Sequence, residues 1–411
     1  MSNTQKKNVP ELRFPGVEGE WEEKKLGEFC EFNNGINAKK EQYGMGRKFI
    51  NVLDILNNNF ITYENIIGKV SVPENVEKNN KVEFGDLVFL RSSETREDVG
   101  LCNVYLDKNY ALYGGFIIRG KKVSDYNPIF LKEALNIPKK RYEIGSAAGG
   151  STRFNVSQDI LRKINVKFPA IEEQQKIGEF FSKLDRQIEL EEQKLELFQQ
   201  QKKGYMQKIF SQELRFKDEN GKDYPEWEEK KLQQIIEVKD GTHESPKPTD
   251  NGYLLVTSKN LKNNKLDLSE SYSISKEDYE SINKRSKVEK GDILFGMIGT
   301  IGNPILLEDE GFAIKNVALL KTSCLQEKYY ILNFLKSIAI AKQFYKTNAG
   351  GTQKFISLGA IRDLKIDFPS LEESTKIGIL FNKLDELIKN QSIKIVLLRR
   401  RKEALLKSMF I

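Results

Sequence analysis

The sequence predicts an α+β protein: two pseudo-symmetric α/β domains joined by two long helices that pair as an antiparallel coiled coil. Three observations carry this expectation. A repeat runs through nearly the whole chain, each copy starts with short apolar alternations broken by Asn- and Gly-rich turns, and each ends in a long stretch of heptad period.

Gly149-Gly150-Ser151-Thr152-Arg153-Phe154, Ile164-Asn165-Val166-Lys167-Phe168-Pro169 and Lys176-Ile177-Gly178 return as Gly350-Gly351-Thr352-Gln353-Lys354-Phe355, Lys365-Ile366-Asp367-Phe368-Pro369 and Lys376-Ile377-Gly378. From Phe168 and its partner Phe368 onward the offset is a constant 200. Upstream, Trp21-Glu22-Glu23-Lys24-Lys25-Leu26 recurs as Trp227-Glu228-Glu229-Lys230-Lys231-Leu232. Glu213-Leu214-Arg215-Phe216, which follows the first heptad stretch, has its twin at Glu11-Leu12-Arg13-Phe14, whereas the second heptad stretch ends at Ile411. This is the pattern of a ring cut open at one point. If the two ends meet, a pseudo-two-fold axis relates two faces that address two similar things.

With 411 residues, two cores are expected on size alone. The net charge of +7 and pI near 8.9 are compatible with a nucleic-acid partner. Cys30, Cys102 and Cys324 have neither pairing nor metal-ligand spacing, and the first residues lack an apolar signal core, so a cytoplasmic location is expected. No run approaches the roughly 18 apolar residues of a membrane span.

In the first copy, Lys48–Val52, Leu87–Leu90 and Gly115–Ile118 read as strands, with a helix from Pro128 to Asn136. In the second, Tyr253–Val256, Asp292–Phe295 and Ala318–Leu320 read as strands, with a helix from Lys328 to Tyr345. Gly85-Asp86 and Gly291-Asp292, each just before a strand, read as turn chemistry and nothing more. After Pro169 the period becomes helical. Ile177, Leu184, Phe198 and Tyr205 fall at heptad position a and Phe181, Ile188, Leu195 and Ile209 at d, with polar breaks at Glu191 and Lys202. The second copy keeps the register: Ile377, Leu384, Leu398 and Leu405 at a, Phe381, Ile388, Ile395 and Met409 at d, and breaks at Gln391 and Lys402. Each seam spans on the order of 50 Å at 1.5 Å rise per residue. The helices either lie on their own domains or pack seam to seam. The matched breaks favour antiparallel seam pairing, with Glu191 and Gln391 near its centre fixing register.

Several chemistries fail on inspection. Gly115-Phe116-Ile117-Ile118-Arg119-Gly120-Lys121 has phosphate-loop spacing, but Lys122 follows where Ser or Thr should bind magnesium, and its interior is a bulky strand-like run. Tyr43-Gly44-Met45-Gly46 and Asn127-Pro128-Ile129-Phe130 echo methyltransferase motifs without their context, and read as a loop and a helix start. His243 is the only histidine, so no histidine pair can hold a metal, and no catalytic or metal site is expected.

Two variable α/β units, each closed by a Gly-Gly-Ser/Thr loop, an Ile/Val-x-Phe-Pro strand and a long helix opening Glu-Glu-x-x-Lys-Ile-Gly, resemble the specificity subunit of type I restriction-modification systems. Asp240-Gly241-Thr242-His243-Glu244-Ser245-Pro246 is similar to an opening segment of that family's target-recognition domains, whereas Glu372-Glu373-Ser374-Thr375 lacks the Glu-Gln pair kept by Glu173-Gln174. The resemblance implies target-recognition domains at 1–168 and 213–368 and conserved helical spacers at 169–212 and 369–411. It also implies a subunit without catalysis of its own that binds no cofactor. Each domain would read one half of a split target in double-stranded DNA. The helices would set the gap and dock two methyltransferase subunits that use S-adenosylmethionine at adenine N6, while motor-nuclease subunits would bring ATP and magnesium. Two major-groove readers on one DNA face stand about one turn, ~34 Å, apart, within reach of such a helix pair.

Candidate DNA contacts are the paired loops Ser151-Thr152-Arg153 and Thr352-Gln353-Lys354, where glycines present hydroxyl, amide and cation together; these loops read equally as turns before the Phe-Pro strand. Because both copies keep similar residues there, phosphate or scaffold contacts are expected. Base reading is expected from the unmatched Arg91, Ser92 and Arg96 in the first domain and Thr242, His243, Lys259 and Asn260 in the second. Two other readings compete: a coiled-coil adaptor that binds proteins only, and a self-contained DNA methyltransferase or nuclease.

Overall fold

The computed structural model describes residues 8–262, 264–299, 301–321, 325–347 and 355–411, with backbone only at 325, 326 and 347. Contacts divide the chain into two compact units, Met1–Glu192 with Ile393–Ile411, and Gln193–Ser392. The divisions fall inside the two long helices, Ile171–Phe210 and Leu371–Met409, and not at the ends of the expected spacers. Each unit therefore contains the first part of one helix and the last part of the other.

In the first unit a four-stranded antiparallel sheet runs in the order Cys30–Asn34, Ile117–Lys122, Leu87–Leu90, Cys102–Val104. Side chains alternate across a strand, and here both faces are buried. Leu87, Phe89 and Ile118 enter the core shared with the helices, while Val88 and Ile117 enter a second core beneath a smaller sheet. That sheet orders Lys69–Val70, Tyr43–Ile50 and Leu112–Tyr113, the last pair parallel. Burial on both faces explains why Leu87–Leu90 reads as an unbroken apolar run.

The second unit repeats the plan. Its four-stranded sheet orders Glu237–Asp240, Val317–Lys321, Ile293–Gly296 and Gly302–Leu306, and its three-stranded sheet Tyr272–Ile274, Tyr253–Thr257 and Ala313–Lys315. The repeated Glu-Glu-Lys-Lys segments pair with the Phe-Pro strands in one register, Glu22 opposite Phe168 and Glu228 opposite Phe368.

Three expectations change. Lys48–Val52 is not one strand: the strand ends at Ile50, and Asn51 caps the helix Val52–Asn57 by accepting Leu53 N–H at 2.9 Å. The single helix expected from Lys328 to Tyr345 is two, Leu325–Leu335 and Ile338–Thr347, matching Pro128–Asn136 and Pro138–Ala147 in the first unit. Pro138 marks that break in the first copy, whereas Lys336-Ser337 carries no such signal in the second. The Gly-Asp pairs are more than turns. Gly85 and Gly291 share φ of 88°, which favours glycine, but Asp86 is also buried against Arg119 Nε at 2.8 Å and Asp292 against Lys321 Nζ at 2.8 Å.

The helices pack on their own domains and on each other at once. In the first unit Ile177, Phe181, Leu184 and Ile188 share a core with Trp21, Phe130 and Met409, against which Leu398 and Leu405 also pack. In the second, Ile377, Phe381 and Leu384 meet Ile209, Phe210, Tyr330 and, at the edge, Tyr205. The pairing is antiparallel within each unit: Asp185 meets Lys402 and Glu191 meets Lys394 in the first, and Asp385 meets Lys202 in the second. Leu195, Phe198 and Ile388 are half-buried, and Ile395 and Gln391 are buried. The N-terminal segment reaches the end of the second helix, where Leu12 N–H donates to Ser408 O at 2.9 Å.

Candidate nucleic-acid interface

In the first unit the two candidate loops form one surface. Ser92–Ser93 pairs antiparallel with Phe154–Asn155, and Ser92 Oγ bonds Asn155 Oδ1. Gly149 and Asn155 exchange both backbone hydrogen bonds, at 3.0 and 2.8 Å, which closes a turn that holds Ser151, Thr152 and Arg153 exposed at its tip. Gly150 makes the turn possible, with φ of 114° and space for no Cβ, since one would lie 2.1 Å from Arg153 O.

The arginines stand around two rings. The Arg153 guanidinium lies 5.1 Å from the Phe116 ring centroid and that of Arg96 4.4 Å from the Phe154 centroid, both within cation–π range. Arg96 Nη1 also donates to Gly145 O at 3.1 Å, and Arg91 Nη1 to Gly115 O at 3.2 Å. Each bond engages only one of the five N–H groups of a guanidinium, which, among the described residues, leaves donors for a base edge or a phosphate.

The second unit places Thr242 in the sheet margin: its N–H donates to Ile314 O and its carbonyl accepts Asn316 N–H. His243 beside it is exposed but held at both ring nitrogens, Nδ1 2.8 Å from Asn316 Oδ1 and Nε2 2.9 Å from Asp240 Oδ2. Ser258 Oγ donates to Asn316 O at 2.9 Å, which brings the exposed Lys259 to the same surface. Asn260 does not belong there. It is buried, its Oδ1 accepts from Thr257 N at 2.8 Å and Thr257 Oγ1 at 3.1 Å, and its Nδ2 donates to Asp267 O at 2.8 Å and Ser271 Oγ at 3.1 Å. An amide so engaged has nothing left for a base, and the base-reading expectation for Asn260 is withdrawn. Its counterpart in the first unit is Asp54, whose Oδ2 accepts from Asn51 N at 2.8 Å. Thr352, Gln353 and Lys354 lie outside the described residues.

Matching backbone bonds align the two surfaces. Val156 N–H donates to Arg91 O as Ile356 N–H donates to Met297 O, so buried Met297 and half-exposed Ile298 occupy the places of Arg91 and Ser92. Ile36 bridges Gly114 as Thr242 bridges Lys315, so Asn37 occupies the place of His243. Between that bridge and the next common bond, Gly35 N to Ile117 O and Gly241 N to Val317 O, the first unit holds one more residue, Phe116. Neither Asn37 nor Phe116 is apparent as a site residue in the sequence, because only strand pairing brings the two copies into register here.

A family model described as the type I restriction modification DNA specificity domain matches residues 18–199 and 224–397. The chain belongs to this family. Its two specificity domains are the two repeats, and each match takes in the α/β part and most of one long helix. The chain is 22% identical to the type I restriction enzyme MjaVIII specificity subunit of Methanocaldococcus jannaschii over 402 residues, which cover 93% of this chain and 90% of that one. It is 26% identical to the MjaIX specificity subunit of the same organism, over 63% of this chain and 62% of that one. In fold, it is similar to the S subunit of a type I restriction-modification system from M. genitalium, with TM-score 0.62 and 16% identity over 98% of this chain and 99% of that one. A chain from a structural study of assembly and conformational transition of the type I R-M system matches with TM-score 0.53 and 16% identity, over 97% and 99%. Among the described residues, no helix is long and apolar enough to cross a membrane.

Proposed function

We propose that this specificity subunit reads a bipartite sequence in double-stranded DNA, one half with each unit, and carries no catalytic centre of its own. One observation supports this most: two specificity domains share sheets, register and helix clasp, yet differ at equivalent positions of the candidate interface, Arg91 and Ser92 against buried Met297 and half-exposed Ile298, and Asn37 against His243. Shared scaffolds with unlike side chains fit two different half-sites read by base-edge contacts. The exposed Ser151-Thr152-Arg153 turn suits phosphate contacts that position the first domain.

In this reading the long helices set the gap between half-sites and dock two methyltransferase subunits. Those subunits use S-adenosylmethionine at adenine N6, motor-nuclease subunits add ATP and magnesium, and the assembly works in the cytoplasm. The test is co-expression with the methyltransferase subunit encoded beside it, followed by single-molecule sequencing of methylated adenines. A two-part motif with a fixed gap is the expected outcome. Random or absent methylation from a complex shown to form would favour a protein-binding adaptor.

A further inference from the structure

An open cleft of about 600 Å3 in the first unit adjoins the surface described above. Tyr43, Phe49, Ile67 and Phe116 supply apolar walls, and Asn37 and Lys69 supply polar groups. Its size is within the roughly 300–1,000 Å3 range of sites that take small-molecule groups. The cleft shares Gly115 and Phe116 with the candidate DNA surface, since Arg91 bonds Gly115 O and Arg153 covers Phe116.

Three features distinguish this cleft from an ordinary surface hollow. Phe116, the residue with no counterpart in the second unit, is 54% exposed, and Tyr43 across the cleft is 47% exposed. Neither ring is a member of the buried cores beneath the cleft, although Tyr43 packs edge-on against Phe49 with ring centroids 5.7 Å apart. Asn37 is exposed and its amide makes no hydrogen bond among the described residues, unlike His243 in the same place. The amide lies against the glycine at 115, where a Cβ would come 1.9 Å from Asn37 Oδ1 and force the side chain to turn away.

Aromatic faces stack on any base, a free carboxamide matches the N6 and N7 edge of adenine, and flanking cations hold the phosphates of a distorted strand. We propose that this cleft receives an unstacked base of the bound DNA, with Phe116 as the stacking ring and Asn37 as the group that reads the base edge. The proposal rests on the first unit's being a DNA reader, and its stacking ring has no counterpart between Asn316 and Val317 of the second unit.

The test uses the subunit assembled with its methyltransferase and duplexes carrying 2-aminopurine at successive positions of the first unit's half-site. The methylated adenine is left unlabelled, because methyltransferases draw that base out themselves. One position should brighten several-fold on binding. Phe116→Ala should return it to the level of free duplex with the salt dependence of binding unchanged, Phe116→Tyr should keep the signal, and Asn37→Ala should reduce discrimination at that position by about tenfold, scored on unlabelled duplexes because 2-aminopurine lacks the 6-amino group. Specific binding in which no position brightens, or brightening that survives Phe116→Ala, would overturn the cleft while leaving DNA reading intact. Absence of any sequence-specific binding would overturn the DNA-reading function itself.

Discussion

Lys402 Nζ lies 2.6 Å from Asp185 Oδ1, and this pair joins the last turns of the second helix to the first helix within one unit. Lys402 also reaches Glu133 Oε1 at 3.3 Å, and Glu133 takes Lys132 at 2.7 Å, so four charges stand together with little solvent. Burial alone would raise Glu133, but Lys132 and Lys402 outweigh it and hold the carboxyl below its ordinary range; burial keeps Asp185 raised despite Lys402. The second unit repeats only the core of this arrangement, Lys202 on Asp385 at 2.6 Å, with Asn333 in the place of Glu133.

Removing one partner of a buried pair strands the other. Lys402→Met leaves Asp185 and Glu133, 7% and 4% exposed, with Lys132 alone, and should destabilise by about 3–5 kcal/mol. Lys202→Met should cost about 1 kcal/mol or less, because Asp385 is 43% exposed and water replaces the lysine. Urea unfolding midpoints of the two variants check the order; equal losses would count against it.

Arg13 grips Glu173 with two bonds at 2.9 and 2.7 Å, and Arg215 grips Glu373 at 3.2 and 2.7 Å. Of the two, Glu373 also accepts an indole, Trp227 Nε1 at 2.9 Å, whereas Trp21 Nε1 has no hydrogen-bond partner among the described residues. Glu373→Ala should therefore shift the Trp227 emission, read in a Trp21→Phe background. Glu173→Ala should leave Trp21 emission in place, read in a Trp227→Phe background.

Lys336 is pushed down to about 8, chiefly by burial and then by Lys202. Its folded value lies below that of the unfolded chain, so between about pH 8 and 10.5 the unfolded chain binds the extra proton. Stability from this group is thus reduced below pH 8 and recovers as pH rises through that window. Lys336→Met should be more stable than the parent at pH 7 by on the order of 3 kcal/mol, an advantage that fades by pH 10.5. Denaturant titrations of both proteins at several pH values give the difference directly.

Arg91 and Asn260 should separate in a mutational test. Arg91→Ala removes a guanidinium with free donors and should relax one half-site by about 1–3 kcal/mol while leaving the other intact. Asn260→Leu leaves the groups it served inside the second unit without partners and should lower stability by about 2–4 kcal/mol, with no change in the motif methylated by the fraction that folds. Methylation maps together with unfolding curves distinguish the two; equal loss across all sequences for Arg91→Ala would end its base-reading role.

The two copies, their helices and the family were legible because each rests on a local pattern. A heptad stripe, a Phe-Pro strand and a recurring Glu-Leu-Arg-Phe are visible without knowing what they touch. Lys202 and Lys402 were visible as breaks in the stripe, but Asp385 and Asp185 were not visible as their reason, since the pairs are 183 and 217 residues apart. Likewise Arg13 and Arg215 stood out only as repeated letters until each met a glutamate about 160 residues on.

Sequence alone thus determined that there are two specificity domains on a helical frame, because periodicity and repetition are properties of neighbouring residues. Tertiary structure alone decided which polar groups remain available. Asn260 is consumed by the carbonyl and hydroxyl of residues beyond the next turn, His243 is held by Asn316 from the junction of two other strands, and Asn37, beside an inserted Phe116, has no side-chain hydrogen bond among the described residues. The physical reason is that a side chain's capacity to bind DNA is what remains after its hydrogen-bonding demand has been met inside the fold, and distant strands set that remainder.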